Sequence, residues 1–423
     1  MNHDPSPRLV HVTTIPLTLE FFRGQIGFMK QRGFSVCAVS SPGPALEGIG
    51  RREGIAVYGI PMERRISPLG DLKALTRLYS ILRNLGATIV HAHTPKGGLL
   101  GVLAARMAGV KVVLYTMHGI RFLTASGDER RILRFAEKLT CRTADRVFSV
   151  SFANHARALA EGLCPPGKIH VLATGSCNGV DAERRFDPQR VIPAQRAETR
   201  KALGIPQNSV VLGYVGRIVK DKGLVVLAEA WTALRERFPD LHLTLVGPLE
   251  SQDPIPRAVL SRLQADGRVR FTGWVWDPVP YYAAMDIVVL PTYREGFPVT
   301  PLEASAMEIP VVASAVDGCV EAVIHGGTGL LVPPGDKESL AAAVHALISD
   351  SELRRRLGRT GRQRVIQTFK PEVIWEELLG HYLEMMGSRA RGLPAARDAR
   401  YERRRRTAAA SRCREERRGL AHA

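Results

Sequence analysis

The sequence predicts an α/β protein with two doubly wound parallel sheets that face each other across a cleft. Three observations support this. The chain has 423 residues, more than one hydrophobic core usually organises. Short β-branched runs alternate with amphipathic helical patterns along it, which indicates parallel sheets covered by helices on both faces. The alternation is interrupted by a strand-poor segment at about residues 185–205, so we expect one doubly wound half on each side.

Short apolar runs mark the candidate strands of both halves. In the first half they are Leu9–Thr13, Ser35–Val39, Ala56–Ile60, Thr88–His93, Lys111–Met117, Arg146–Ser149 and Lys168–Ala173. In the second half they are Val210–Val215, Leu243–Val246, Val269–Thr272, Ile287–Leu290, Val311–Ser314 and Gly329–Val332.

Helical patterns lie between these runs. Leu72–Leu85 and Leu99–Met107 are amphipathic, and the segment after Gly223 carries an apolar stripe suited to packing on a sheet. Asp336 is a candidate N-cap for the helix containing "SLAAAVHALI".

These patterns divide the chain into five parts. We expect an N-terminal domain over residues 1–190, a linker over 191–205 and a C-terminal domain over 206–368. A helix over 369–388 has an apolar face, which we expect to pack back on the N-terminal domain. The basic segment 389–423 has few apolar residues, so we expect a disordered or surface-bound arm.

Charge and cysteine content narrow the functional classes. The formal net charge is +18, of which the last 35 residues supply +8 through twelve arginines against four acidic residues. A basic body of this kind suits nucleic acid, anionic membranes or phosphate-bearing small molecules. The six cysteines form no C-x-x-C pair, and the sequence shows neither a signal peptide nor a membrane-spanning run, so we expect a cytoplasmic protein.

Ligands of open parallel sheets bind beyond the carboxyl ends of the strands, and "GRIVKDKG" follows one such end. It brings Arg217, Lys220 and Lys222 next to a glycine turn and a helix start. Two cations and a helix N-terminus can bind one diphosphate. A solvated basic loop is the other interpretation.

The segment "REGFPVTPLEA" follows the strand "DIVVLPT". Thr300 and Glu303 have the spacing of a capping box, which by itself explains Glu303. Glu295 precedes the helix, in a loop with Gly296, and no cap explains it; we expect its carboxylate to face the cleft. The amides of residues 297, 299 and 300 would point at phosphate or hydroxyl oxygens, whereas Pro298 has none to donate.

The first half also has polar residues at strand ends. His118 ends the run containing "TMHG", at the expected mouth of the cleft. His91 and His93 share one face of a strand, but with no acidic partner nearby we expect no metal site. Lys96 either binds an anion or simply starts a helix. No dinucleotide or nucleoside-triphosphate fingerprint is present.

The motifs "GRIVKDKG", "EGFPVTPLEA", "GCVEAVIHGGTGLLVPPGD" and "NGVD", taken together and in order, resemble the retaining glycosyltransferases of family 4. The similarity covers roughly residues 8–385. It implies the GT-B fold, in which two Rossmann-like domains face each other across the donor cleft. Residues 1–190 would then be the acceptor-side domain and residues 206–368 the nucleotide-sugar-binding domain.

The resemblance also implies residue roles. Arg217 and Lys222 match the pair that holds the donor diphosphate, Glu303 matches the glutamate at the ribose hydroxyls, and Glu295 matches the glutamate at the transferred sugar. His118 matches a histidine near the reacting centre. The remaining matches are the loop that cradles sugar and phosphate, Gly296, Phe297, Pro298, Val299 and Thr300, and the N-terminal loop at Gly24, which lacks the family's commoner paired glycines.

In that family the anomeric configuration is retained, and no protein nucleophile is needed. The two cations and the helix start can stabilise the leaving diphosphate, so the resemblance implies no cofactor and no metal, in line with the lack of a D-x-D motif.

The first half further resembles enzymes that build bacterial lipid-linked glycans. This implies a UDP-sugar donor, a polyprenyl-diphosphate-linked or glycan acceptor, and peripheral contact with the anionic inner face of the membrane. The basic segment "MERRISPLGDLKALTRLYSILRNLG" either lies on lipid or is an ordinary surface helix.

Two alternatives stay open from the sequence. A nucleotide-sugar epimerase of the same fold would convert its substrate without an acceptor. A nucleic-acid-binding protein would act through the arginine-rich arm, although the body lacks the interleaved aromatic and basic residues that stack on bases, so we expect no nucleic-acid partner for it.

Overall fold

A computed structural model describes residues 6–191, 193–251 and 253–390. The predicted basic arm lies outside these residues except for its first two positions, which end the last helix at Ala390.

Within the described residues, the first sheet contains seven parallel strands in the order β3-β2-β1-β4-β5-β6-β7. Strand β5 is buried along its whole length, as expected for a central strand covered on both faces. The strands are β1 Arg8–Val12, β2 Ser35–Ser40, β3 Ala56–Gly59, β4 Ile89–His93, β5 Val112–Met117, β6 Arg146–Ser149 and β7 Ile169–Val171.

The second sheet of the described chain contains six parallel strands in the order β10-β9-β8-β11-β12-β13. Every predicted strand is present, with ends that shift by at most two residues. The strands are β8 Val210–Val215, β9 Leu241–Val246, β10 Val269–Gly273, β11 Ile287–Leu290, β12 Val311–Ser314 and β13 Gly329–Val332.

Helices cover both faces of each sheet, which confirms the predicted doubly wound fold class. Those of the first half are α1 Gln25–Gln31, α2 Pro44–Glu53, α3 Pro68–Leu85, α4 Pro95–Met107, α5 Gly127–Thr143 and α6 Phe152–Ala160, with short 3₁₀ helices at Pro16–Phe22 and Arg121–Thr124. Those that follow are α7 Pro193–Ala202, α8 Leu224–Arg237, α9 Arg257–Ala265, α10 Val279–Ala284, α11 Thr300–Ala306, α12 Cys319–Ala322, α13 Lys337–Ser349, α14 Ser351–Thr368 and α15 Pro371–Ala390, with a 3₁₀ turn at Lys220–Lys222.

Local chemistry explains several helix starts. Asp336 caps α13 as predicted, because its carboxylate accepts a hydrogen bond of 2.9 Å from the amide of Ser339. The two amphipathic helices of the first half begin four residues earlier than predicted, at Pro68 and Pro95, since proline suits the first helical position.

The long helix α15 crosses from the second half to the first. Its apolar residues, among them Ile374, Leu378 and Tyr382, pack in one cluster with Leu9 and Phe148 of the first sheet. Arg146 at the start of β6 is paired with Glu384 at 2.8 Å. Together with α1 and α2, this helix therefore covers one face of the N-terminal sheet, while α3, α4 and α5 cover the other.

Candidate active site

The carboxyl ends of the two sheets border a cleft of about 1650 Å³. Residues from both halves line it, as expected for a ligand site at strand ends. All the site residues predicted from the sequence lie along its walls: Gly24, His118, Arg217, Lys222, Glu295, Gly296, Phe297, Pro298, Val299, Thr300 and Glu303.

Lys222 and Glu295 are paired with each other. The Lys222 ammonium lies 2.5 Å from a carboxylate oxygen of Glu295, and both side chains are largely buried. Gly223 makes this possible: its φ is +74°, and a Cβ there would lie 1.8 Å from the carbonyl oxygen of Pro291. The glycine lets the cationic turn pass directly over the end of β11, which brings Lys222 to the glutamate loop.

Arg217 is held by Glu250, a residue the sequence interpretation missed. One oxygen of Glu250 accepts hydrogen bonds from Arg217 at 2.9 Å and from Arg64 at 2.8 Å. Burial raises the pKa of Glu250, but the guanidinium of Arg217, with that of Arg64, outweighs burial and lowers this pKa overall. Since Arg64 belongs to the first half, Glu250 joins the two walls of the cleft. The sequence signal that could have identified Glu250 is the position of an acidic residue shortly after the end of β9.

The predicted capping box from Thr300 to Glu303 is wrong. Thr300 is the first residue of α11, and its hydroxyl donates to the carbonyl of Val215 at 3.1 Å instead of capping the helix. The carboxylate of Glu303 accepts a hydrogen bond of 2.8 Å from the hydroxyl of Tyr282. Because the carbonyl at the end of β8 binds the Thr300 hydroxyl, no capping box forms, and Glu303 bonds to Tyr282 on α10 instead.

The environment of Glu303 favours its protonated form. Burial raises the pKa of Glu303 overall, although the Tyr282 hydrogen bond and the charge of Arg185 act in the opposite direction. Arg185 is itself paired with Asp277 at 3.1 Å. Neither Tyr282 nor Arg185 was predicted from the sequence, since nothing in the pattern around them marks a ligand site.

The loop at Gly296 presses against the opposite wall of the cleft. A Cβ at Gly296 would lie 1.8 Å from the carbonyl oxygen of His118, so only glycine permits this approach. Phe297 behind it is buried. Within the described chain, the amides of residues 297, 299 and 300 donate to no protein acceptor, so they are available to a ligand.

His118 ends a row of imidazoles. Its Nε2 lies 3.3 Å from Nδ1 of His93, whose Nε2 lies 3.1 Å from Nδ1 of His11. Burial lowers the pKa of His118 to about 4, so its ring is neutral at pH 7. Phe21 packs near the same ring, with centroids 5.9 Å apart.

A metal site is conceivable only at His11, His91 and His93 among the described residues, whose ring nitrogens lie within 4.8 Å of one another. Both nitrogens of His91 already contact hydroxyls, of Tyr382 at 2.6 Å and of Thr116 at 2.7 Å. The set has no carboxylate, and all three rings are buried. Three imidazoles can hold zinc, but both nitrogens of His91 are engaged by hydroxyls, so hydrogen bonding accounts for this set without a metal ion.

Gly24 and Lys96 both have contacts that are mainly structural. Gly24 is the N-cap residue of α1. Its φ is +83°, and a Cβ there would lie 2.6 Å from the ring of Trp375. Lys96 pairs with Asp71 at 2.7 Å near the start of α4. Of the two interpretations of Lys96, the helix start has the better support.

Comparison with known proteins identifies the family. Residues 21–175 match the glycosyl transferase 4-like domain, and residues 195–364 match the glycosyl transferases group 1. The chain is 32% identical over 376 residues to the capsular polysaccharide biosynthesis glycosyltransferase CapM of Staphylococcus aureus, covering 89% of this chain and 96% of that relative. The chain belongs to the family 4-like glycosyltransferases of the GT-B fold.

Other relatives of this glycosyltransferase agree. It is 28% identical over 339 residues to the UDP-Gal:alpha-D-GlcNAc-diphosphoundecaprenol alpha-1,3-galactosyltransferase of Escherichia coli, covering 79% of this chain and 85% of that one. Its fold matches the crystal structure of Anabaena HepE in complex with UDP and glucose, with a TM-score of 0.76, 22% identity, and coverage of 89% and 99%. The predicted enzyme class and fold are therefore confirmed.

Proposed function

We propose that this glycosyltransferase moves a sugar from a UDP-sugar to a polyprenyl-diphosphate-linked acceptor in cell-surface glycan synthesis, with retention of configuration. The name of the E. coli relative supports both substrates, since it includes UDP-Gal and a diphosphoundecaprenol acceptor. The observation that carries the proposal is the convergence of Arg217, Lys222, Glu295 and free loop amides on one cleft.

The contacts support an exchange of partners when the donor binds. Its diphosphate would take over Arg217 from Glu250 and Lys222 from Glu295, and the amides of residues 297, 299 and 300 would add neutral donors. Charge on the leaving diphosphate is then stabilised by groups already in position, the usual source of large rate effects. Glu295, released from Lys222, would hold the transferred sugar, and Glu303 the ribose.

An acceptor groove and a membrane surface adjoin the cleft. Its lining continues over α4 between α3 and α5, past Ile66 and Ile132. Leu69 on α3 and Phe135 on α5 are 78% and 68% exposed; Arg65 lies four residues before Leu69, and Arg134 directly precedes Phe135. An apolar rim with surrounding cations suits anionic lipid. In the described chain no helix is long and apolar enough to span a bilayer.

A panel of labelled UDP-, GDP- and ADP-sugars, incubated with the protein and a membrane lipid extract, tests this function. We expect label from a UDP-sugar to enter the organic phase. Label that is converted without any acceptor would instead favour an epimerase, and label transferred only from GDP- or ADP-sugars would contradict the UDP assignment.

Variants test the residue roles in the same assay. Lys222→Ala and Glu295→Gln should each lower turnover by about 100-fold or more, because each removes a group matched to developing charge or to the sugar. Arg237→Ala on the exposed surface of α8 is the matched control. Full turnover in either cleft variant, with an intact fold by circular dichroism, would refute its assigned role.

Membrane docking is tested by sedimentation with phosphatidylglycerol vesicles. The double variant Leu69→Asp and Phe135→Asp should lose binding, since it puts charge into the apolar rim. Binding equal to that of the unaltered protein would exclude this surface.

A further inference from the structure

The row of imidazoles runs from the core of the first sheet to the cleft. His11 lies on β1, His93 on β4, and His118 directly follows β5. His11 and His93 are fully buried, whereas His118 lines the cleft. The row is continuous, with nitrogen–nitrogen contacts of 3.1 and 3.3 Å. It therefore links a buried group to a residue that lines the cleft.

Each contact needs one N–H group and one lone pair. The pKa of each ring is lowered by burial, so all three are neutral and carry one N–H each. His93 uses both of its nitrogens, one as donor and one as acceptor. The protons of the row must therefore all point the same way, either towards the cleft or away from it.

The far end of the row decides the direction. Nε2 of His11 is buried and has no hydrogen-bond partner among the described residues. Among backbone groups, a buried N–H without a partner is rarer than a buried acceptor without one, and we apply the same preference to this ring. We assign the lone pair to this atom, which puts the proton of His11 on Nδ1, where it donates to His93.

We propose that His11 and His93 are positioning residues that fix the tautomer of His118, so that its Nδ1–H donates a hydrogen bond into the cleft. His93 Nδ1 donates to His118 Nε2, which leaves Nδ1 of His118 as the protonated atom. This rests on the proposed function, together with the family resemblance that puts His118 near the reacting centre. His118 then acts as a neutral donor to an oxygen of the substrate, and not as a general base.

The ring packing supports a fixed geometry. Phe22 lies against His93 with centroids 4.3 Å apart and stacks on His11 at 5.2 Å. The ring centroids of His91 and His93 are 4.2 Å apart, and His91 is held by contacts to the hydroxyls of Tyr382 and Thr116. Rings wedged in this way cannot turn to exchange their nitrogens without disturbing the core.

Two substitutions of His93 distinguish the effect of its hydrogen bonds from the effect of the space that its side chain fills. The amide of asparagine lies near the place of the histidine Nδ1, and that of glutamine near Nε2. His93→Asn keeps a donor for His118 and loses the contact to His11, whereas His93→Gln keeps the contact to His11 and loses His118. Both remove the same imidazole from the same core position, so each is the control for the other.

Turnover gives the first readout. With the donor and acceptor found in the panel, kcat should stay within about threefold of the unaltered protein in His93→Asn. It should fall by about 10- to 100-fold in His93→Gln, as is usual when the support of an active-site histidine is removed. Equal losses in both variants would show that His93 only fills space.

The tautomers give the second readout, which needs neither a variant nor turnover. In the full chain with labelled histidine, long-range ¹⁵N–¹H spectra should show His118 protonated at Nδ1 and bare at Nε2. The opposite tautomer would overturn the proposal even if transfer is observed. If the protein transfers no sugar, the spectrum still tests the row, so failure of the function and failure of this inference are distinguishable.

Metal analysis gives the third readout. A stoichiometric metal in the purified protein that is lost in His93→Asn would replace the hydrogen-bonded row with a metal site at His11, His91 and His93. We expect no bound metal in either protein.

Discussion

At the scale of single residues, Glu137 is a buried carboxyl group whose described hydrogen-bond partner is a hydroxyl and not a cation. It is buried on α5 and accepts a hydrogen bond of 2.7 Å from Tyr115. Burial raises the pKa of Glu137 to about 7, although the hydrogen bond acts against this. The folded protein therefore binds a proton here that the unfolded chain releases above about pH 4.5.

Glu137→Gln should change how stability depends on pH. The raised folded pKa means that the stabilising contribution of the protonated carboxyl is complete below about pH 4.5 and is lost as pH rises through about 7. The glutamine variant lacks this loss and should gain about 3 kcal/mol relative to the unaltered protein between those limits. Urea unfolding across the range measures it. Glu129→Gln, exposed on the same helix, is the control; a pH-independent difference for Glu137→Gln would contradict the raised pKa.

The predictability of the site also differs from residue to residue. Arg217, Lys222 and Glu295 were found because strand ends and a glycine turn mark where ligands bind. The residues that pair with the site residues in the structure, in contrast, were not predicted from the sequence. Glu250 is 33 residues from Arg217 and 186 from Arg64, and Tyr282 is 21 residues from Glu303. Such pairs depend on how loops from different strands meet, which no local pattern encodes.

At the scale of elements, the loop around Gly296 depends on its backbone reaching His118. Gly296→Ala should push the loop off the opposite wall, because its methyl group would fall 1.8 Å from a carbonyl oxygen. We expect transfer to fall by about 100-fold, since misplacing a positioning loop by about 1 Å can cost that much. Steady-state kinetics measures it.

A matched glycine serves as the control for this loop. Gly380→Ala lies in the middle of α15, where a Cβ would meet nothing within 4 Å, and should leave turnover unchanged. If Gly296→Ala were as active as Gly380→Ala, the close approach of the loop to His118 would be unnecessary for transfer.

Helices and strands could be predicted from the sequence where the side chains they bury are apolar and form an unbroken run or stripe. The strands followed from such runs. Helix α7, inside the predicted linker, was missed because the side chain it buries is Arg200, which pairs with Asp286 at 2.8 Å and donates to backbone carbonyls. A buried guanidinium leaves no apolar period for a sequence pattern to register. The failed cap at Thr300 has a similar cause, since a distant strand carbonyl took its hydroxyl.

At the scale of the whole molecule, Glu250 connects the two halves through Arg64 and Arg217. Its carboxylate pairs with Arg217, which we assign to the donor diphosphate, and with Arg64 of the first half. Glu250→Gln should therefore bind UDP more tightly, by about threefold to tenfold, because a competing negative charge is gone and surface-accessible pairs contribute up to about 1 kcal/mol.

Isothermal titration with UDP measures this change. Glu183→Gln, which removes an exposed carboxylate paired with Lys370, is the control. Raising the salt concentration should narrow the difference, since Arg217 is 41% exposed and its pairing is screened. Weaker UDP binding in Glu250→Gln would mean that the glutamate orients Arg217 for the donor instead of competing with it.

The return of α15 to the first sheet has a consequence for synthesis on the ribosome. Leu9, Leu114 and Phe148 emerge early, yet the residues that cover them, such as Ile374 and Tyr382, follow about 200 residues after the last strand of that sheet. At ordinary elongation rates this is a delay of roughly 10 to 40 s. Throughout that interval the part of this apolar face that α15 covers stays exposed, although Leu19, Ile26 and Leu46 of the first half already pack on the rest of it. The half that is made first is thus the half that finishes last, and its yield in the cell depends on what shields that face while the second half is being made.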